Sequence, residues 1–263
     1  MKKTFRKKQH ILIVILFCIM GTGALQAGLI NVPSTQYLKI MQAVVAAKAG
    51  DTIVVEPGVY TEDIVAGNDV VLLSRVPLMA VFDGHGRRNV VTLNGSKCIL
   101  SGFEIRNGVI GVFSKGAASV IEKCRIVNNT EIGVMCVGNL PKIIDNVIAF
   151  NGGSGVKGCE LRTSAFSTVS HNIIAYNRNH GISIGGTFII AIANNIIANN
   201  KRYGIKIFPE DSKVTITSNC FYENGIISSK NHLPQNNVSC DPKFRSPRRL
   251  DFSQTEQLKC MDF

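Results

Sequence analysis

The segment "HNIIAYNRNHGISI" at residues 171 to 184 recurs as "NNIIANNKRYGIKI" at 194 to 207, 23 residues further on. Aligning the chain on N-x-I-x-x-N gives Asn146, Ile148 and Asn151, then Asn172, Ile174 and Asn177. Asn195, Ile197 and Asn200 follow, and then Asn219, Phe221 and Asn224. One period earlier the slots hold Cys124, Ile126 and Asn129; before that, Gly102 takes the first slot and Ile105 lies near the second. Glycines keep step at Gly111, Gly133, Gly155, Gly181 and Gly204, at intervals of 22, 22, 26 and 23 residues. A period in the range of roughly 20 to 50 residues marks a stacked repeat and outranks any local reading.

After each glycine, apolar and polar residues alternate, with Val112, Val134, Val156, Ile182 and Ile205 on one side. That is the pattern of a strand with one buried face. A second short strand ("SVIEK", "PKIID", "STVSH", "IIAIA", "VTITS") precedes the first Asn slot, and a third ("RIV", "VIA", "IIA", "IIA", "CFY") follows it. Three short strands per repeat with no helix between them exclude a βαβ sheet. They predict an all-β, single-stranded parallel β-helix of about seven or eight coils over 51–225, each strand pairing with its own copy one turn away. Asn suits the bends because it tolerates left-handed φ and bonds its own backbone, and stacked amides can bond one another as a ladder. The glycines are expected to relieve a second bend.

Such a coil needs its open ends covered. In "STQYLKIMQAVVAAKAGDTIVV", Ser34 or Thr35 reads as an N-cap, Tyr37, Leu38, Met41, Val44 and Val45 as an apolar stripe, and Gly50 as a stop. Residues 28–50 are thus an N-terminal capping helix region. The period is lost over 226–263, where Pro234, Pro242 and Pro247 mark an irregular C-terminal cap.

The first 27 residues read as a signal peptide. Lys2, Lys3, Arg6, Lys7 and Lys8 precede the ten-residue apolar run "ILIVILFCIM" and the small residues of "GTGALQAG". The run is shorter than the ~20 residues of a bilayer span. Cleavage near residues 24–27 would export the chain to the periplasm, the cell surface or the medium, with no transmembrane span. Five of the 29 Lys and Arg lie in this leader with no acid, so the formal net charge of +11 falls to +6. That balance favours acidic partners, and no nucleic-acid-binding motif accompanies it. Seven cysteines remain, none in a CxxC, and several read as small buried apolar residues. Cys240 and Cys260, in the aperiodic tail, are the favoured disulfide pair.

The opening "QAVVAAKAGDTIVVEPGVYTEDI" (42–64), the Asn-bend repeats and the tail "CDPKF…LDF" resemble the pectate-lyase-like superfamily of right-handed parallel β-helix proteins, with repeats of the NosD-like class. The resemblance covers about 34–252. It implies a right-handed coil, a monomer, and a substrate groove along the outer face of the strand after each glycine. The superfamily holds lyases, hydrolases, epimerases and adhesins, so activity must be argued from the site.

On that face Phe113, Met135, Lys157, Ser183 and Lys206 point outward, with Lys115 two residues beyond Phe113. A uronate lyase must neutralise the carboxylate, take the C5 proton and protonate the leaving oxygen. A Lys or Arg crowded by other cations can be shifted toward neutrality for the base role. Lys206, Lys157 and Arg178 are the catalytic candidates, and Arg202, His180, Lys115 and Arg162 the substrate-binding ones. Glu160, Glu210 and Asp211 are candidates to hold a calcium ion. No polygalacturonase-like pair of aspartates with a downstream His lies on these strands, and neither does a "DPHD" epimerase motif. The expected partner is an acidic polysaccharide, bound along the groove; if the protein is catalytic, β-elimination is the first chemistry and epimerisation the second. The competing reading is a non-catalytic envelope or surface protein used for adhesion or as a scaffold.

Overall fold

Two files of buried asparagine amides run through the computed structural model, which describes residues 27–67, 69–86, 89–115, 118–208, 213–229 and 236–254, the side chains of 162–165 excepted. In the first file the Nδ2 groups of Asn146, Asn172, Asn195 and Asn219 each donate to the Oδ1 of the next Asn, ending on Asn237, over 2.9–3.0 Å. The second runs from Asn129 through Asn151, Asn177 and Asn200 to Asn224 over the same distances. Except at Asn129, which bonds Val127 O, each Nδ2 also reaches a main-chain carbonyl of the preceding turn, as Asn195 does to Val169 O at 2.8 Å. Each Oδ1 accepts in addition the main-chain N–H of the Asn before it, as Asn195 does from Asn172 at 3.0 Å. Side chains that are 0–1% exposed thus satisfy their polar groups inside a dry interior.

Around these files the chain winds as a right-handed parallel β-solenoid of about eight turns. Three columns of parallel strands form its faces. The front face runs from Ile64–Ala66 through Asn89–Leu93, Ile110–Ser114 and Ile132–Val137 to Tyr203–Phe208 and Ile226–Ser228. The side face begins at Leu29–Val32 and Thr52–Val55 and ends at Lys213–Thr217. Two long strands, Val156–Ser170 and Ile182–Ala193, continue around the corner from front to side. The back face stacks nine strands from Gly58–Tyr60 to Val238–Ser239. Val112, Val134, Val156, Ile182 and Ile205 line the interior at 0% exposure, as the alternation requires. Full burial of such a side chain is worth ~1.5–3 kcal/mol.

The bends differ from the sequence expectation by one residue. The left-handed position precedes each ladder Asn and is held by Lys123, Asp145, His171, Asn194 and Ser218 at one corner, all with φ of 53–58°. At the other corner it is held by Asn107, Asn128, Phe150, Tyr176, Asn199 and Glu223. Gly102, φ 82°, belongs to this left-handed set, so Phe103 takes the slot that the repeat assigned to Gly102, with Ile105 paired to Ile126 beside it. The stepping glycines do not relieve a bend either, since none of the five has a positive φ. A Cβ on Gly155 would lie 2.8 Å from Asn177 Nδ2, Gly181 O and Ile174 Cγ2. Glycine is required there by the second ladder, which passes directly behind it.

The N-terminal end carries the expected short helix, with other bounds and caps than the sequence suggested. The helix is Ile40–Ala46, and it buries Ile40, Ala43 and Val44 while Leu38 and Val45 stay exposed. Its first amides, Ile40 and Met41 N–H, donate to Glu62 across the fold, and Ser34 Oγ instead accepts from Tyr37 N–H. The helix stops at Ala46, ahead of Gly50. Strand Leu29–Val32 is already part of the sheet before the helix begins. At the other end, Phe244–Ser246 and Asp251–Gln254 form an antiparallel pair that folds back along the coil. Phe252 there is 5% exposed and packs with Val127, Ala149, Ala175 and Ile196 in a second, smaller core on the outer side of the back face. Cys98, Cys124, Cys136 and Cys220 are buried free thiols. Cys240 is disulfide-bonded, and its expected partner Cys260 lies outside the described residues.

The ladder makes a prediction. Asn195→Ala strands donors and acceptors on three consecutive turns and should cost about 3 kcal/mol or more, from losses of ~1–3 kcal/mol per unsatisfied buried group. Asn194→Ala, one residue away at φ 56°, should cost only ~1–2 kcal/mol of left-handed strain. Urea unfolding of both variants tests this; equal losses would contradict the ladder's role.

Candidate functional site

Parallel register decides what shares a column outside the coil. On the front face Val65, Thr92, Phe113, Met135, Lys157, Ser183 and Lys206 are successive partners. The outward file read from the repeat is therefore the file that forms. Lys157 and Lys206 stand two turns apart, about 9–10 Å by strand spacing, with the buried Ser183 between them.

Beside this column His180 is 6% exposed, and its Nδ1 accepts the main-chain N–H of Tyr203 at 3.2 Å. The two rings lie 5.4 Å apart. Lys206 Nζ sits 5.7 Å from the Tyr203 ring and 5.8 Å from that of Phe208, within cation–π range. Burial, followed by the charges of Lys206, Arg202 and Lys157, lowers the His180 pKa to about 4. All three cations thus lie within electrostatic reach of one imidazole. None of the three forms an ion pair with a described residue. Near neutral pH His180 is uncharged, and with Nδ1 accepting, its proton resides on Nε2. It is a positioning group that ties one turn to the next. The left-handed histidines are His85, φ 44°, and His171, φ 58°, and His180 is not among them.

The remaining candidates scatter. Lys115 is exposed, its Nζ 5.5 Å from the Phe113 ring, on a strand two turns before that of Lys157. Arg178 lines a different cleft, on the bend between back and front faces. Arg162 pairs through its main chain with Thr187, and its side chain is outside the described set. Glu160 is exposed at φ 51°, while Glu210 and Asp211 lie outside the described residues. Among the described residues no three His, Cys, Asp or Glu gather as metal ligands. Tyr203 was missed by sequence reasoning. It occupies in one twin segment the place of His180 in the other, and that correspondence was the available signal.

A family model described as a right-handed β-helix region matches residues 85–240. The chain belongs to the right-handed β-helix family. No curated protein sequence matches this β-helix protein. Among solved structures, it resembles a pectate lyase at a TM-score of 0.60 and 11% identity, over 89% of each chain. It also resembles an alginate lyase from a Paenibacillus species at 0.51 and 14%, over 81% of this chain and 99% of the other. At these identities the likeness is one of fold. Among the described residues no helix is long and apolar enough to cross a membrane.

The His180 environment is testable by NMR titration of the imidazoles. The folded pKa lies below the unfolded ~6.5, so the stability contributed by neutral His180 is complete above 6.5 and is lost as pH falls toward about 4. His180 should titrate near 4, and Lys206→Met should raise the midpoint without restoring 6.5, because burial is the larger cause. A midpoint near 6.5 in the unaltered protein would remove His180 from the cation cluster.

Proposed function

We propose that this β-helix protein is exported and binds an acidic polysaccharide along its front face, across Lys157, Ser183 and Lys206 with Arg202 at the edge. The observation that carries the reading is one register column that bears Lys157 and Lys206 two turns apart, with Arg202 also within electrostatic reach of His180 and none of the three paired with an acid among the described residues. Like charges gathered without counter-charge are mutually destabilising and favour a bound anion. A two-turn cation spacing suits repeated carboxylates on an extended glycan. The solved structures of similar fold include a pectate lyase and an alginate lyase, which agrees with this choice of ligand. The basic and then apolar leader supports export; residues 1–26 lie outside the described set.

A second reading, β-elimination, is favoured by the setting of Lys206, whose amine rests against Tyr203 and Phe208 instead of a carboxylate. In it Arg202 faces the uronate carboxylate and Lys206 takes the C5 proton. The C4–O bond then breaks, and the leaving oxygen takes a proton as the C4–C5 double bond forms. Lys157 serves the next subsite. Epimerisation would return the proton to the opposite face of the same carbon.

Incubation with pectate, alginate and glycosaminoglycans, with and without calcium, separates these outcomes. Binding should weaken about tenfold or more in Lys157→Ala and Lys206→Ala, from the ~1.5–3 kcal/mol of a charged hydrogen bond. Rising absorbance at the wavelength of unsaturated uronates, abolished in Lys206→Ala, identifies the lyase. Binding without that signal leaves a glycan-binding protein. Absence of binding to every acidic glycan refutes the proposal in favour of adhesion to another ligand or a scaffold.

A further inference from the structure

The back-face strands Val147–Ala149 and Ile173–Ala175 each end on a left-handed aromatic residue, Phe150 and Tyr176. Their rings stack at 5.1 Å and 11°. On these rings the C-terminal segment anchors itself, with Phe252 at 6.1 Å from Phe150 and 6.4 Å from Tyr176. Just before Phe252 the chain makes a 3-10 turn, Pro247–Arg249, and reverses at Leu250, φ 60°. The anchoring holds Arg248 across a cleft of ≈ 560 Å³ from Arg178 and Lys201. Those two follow the ladder residues Asn177 and Asn200, so they occupy equivalent places on consecutive turns, about 4.8 Å apart along the coil.

We infer that Arg178, Lys201 and Arg248 form a second anion-binding site, for an oxyanion-bearing ligand, where the C-terminal segment closes against the bend between back and front faces. The residues lining this cleft include three cations and no acid. None of the three cations has a side-chain hydrogen bond or ion pair with a described residue. The described acids of the C-terminal segment, Asp241 and Asp251, are otherwise engaged. Asp241 pairs with Lys243 at 2.7 Å, and Asp251 accepts from Ser253 N–H at 3.0 Å. Two guanidinium groups and an ammonium supplied to one cleft by the coil and by the C-terminal segment suit a carboxylate, sulfate or phosphate group. The volume falls within the ~300–1,000 Å³ common for small-ligand sites. Nothing here depends on the front-face groove, which uses other residues on another side of the coil.

The test follows backbone amide shifts in the full chain on titration with trigalacturonate, a sulfated tetrasaccharide and inorganic phosphate. The amides of Tyr176, Arg178, Asn199, Lys201 and Arg248 should move with at least one saccharide probe. That response should weaken about tenfold in Arg248→Ala and be partly restored in Arg248→Lys. Arg248 is exposed and bonds no described residue, so its loss should leave the circular dichroism unchanged. Should Arg248→Ala loosen the tail, Arg178→Ala removes charge from the coil side alone and must weaken the same response. Equal responses in the wild type and all three variants would overturn the site, as would silence of these amides with every probe. A response to phosphate alone, at about millimolar concentration, would overturn its saccharide use and define a free-oxyanion site. Failure of the front-face reading would instead appear as silence at Lys157, Ser183 and Lys206.

Discussion

Everything in this molecule depends on the requirement that polar groups buried in a narrow coil find partners along the coil axis. A parallel solenoid satisfies its main chain between turns, but its corners must turn without exposing amides to the dry interior. Here two asparagine files meet that need. An interior side chain such as Asn195 accepts two hydrogen bonds from the turn before, donates one back to it and donates one to the turn after, so a corner is complete only when both neighbouring turns are present. The same files explain why glycine recurs. Gly133, Gly155 and Gly181 leave the room through which the second file passes.

Once the corners are locked, register does the rest. Residues at equal places in successive turns stack within about 5 Å, and whatever chemistry the sequence writes at one place becomes a line on the surface. At the outward place of the front face the line runs from Phe113 and Met135 to Lys157, Ser183 and Lys206. At the place after the second ladder, it brings Arg178 beside Lys201. The two basic regions are consequences of one repeat, separated because they lie on opposite sides of a corner.

The strands, their inward and outward residues and the parallel pairing were legible because a periodic pattern is local in sequence. Ile182 and Ile205 point inward for the same reason, one turn apart. The left-handed residue was misplaced by one because Asn is chemically suited to two roles, and sequence does not tell strained backbone from a buried amide. Asp145, His171 and Ser218 carry the strain, while the Asn after each carries the hydrogen bonds. The helix register was misjudged through Leu38 and Val45, apolar residues that the fold leaves in solvent. Of the candidate site, the Lys157–Lys206 column was readable. The closeness of Arg202 and His180 to it, and the involvement of Tyr203, depend on how the corner loops lie across the face.

By itself the sequence determined the coil, since a 22-to-26-residue period of short strands admits no other way to pair every turn with its copy. It also determined which side chains line up on the outside, because alternation along a strand is a property of the backbone. Only the tertiary structure decided where the aperiodic C-terminal segment would go. Its path is set by Phe252 finding the stacked rings of Phe150 and Tyr176, which precede it by 102 and 76 residues. That contact is a match of shapes between distant segments, written in no local pattern, and through it Arg248 comes to face Arg178 and Lys201.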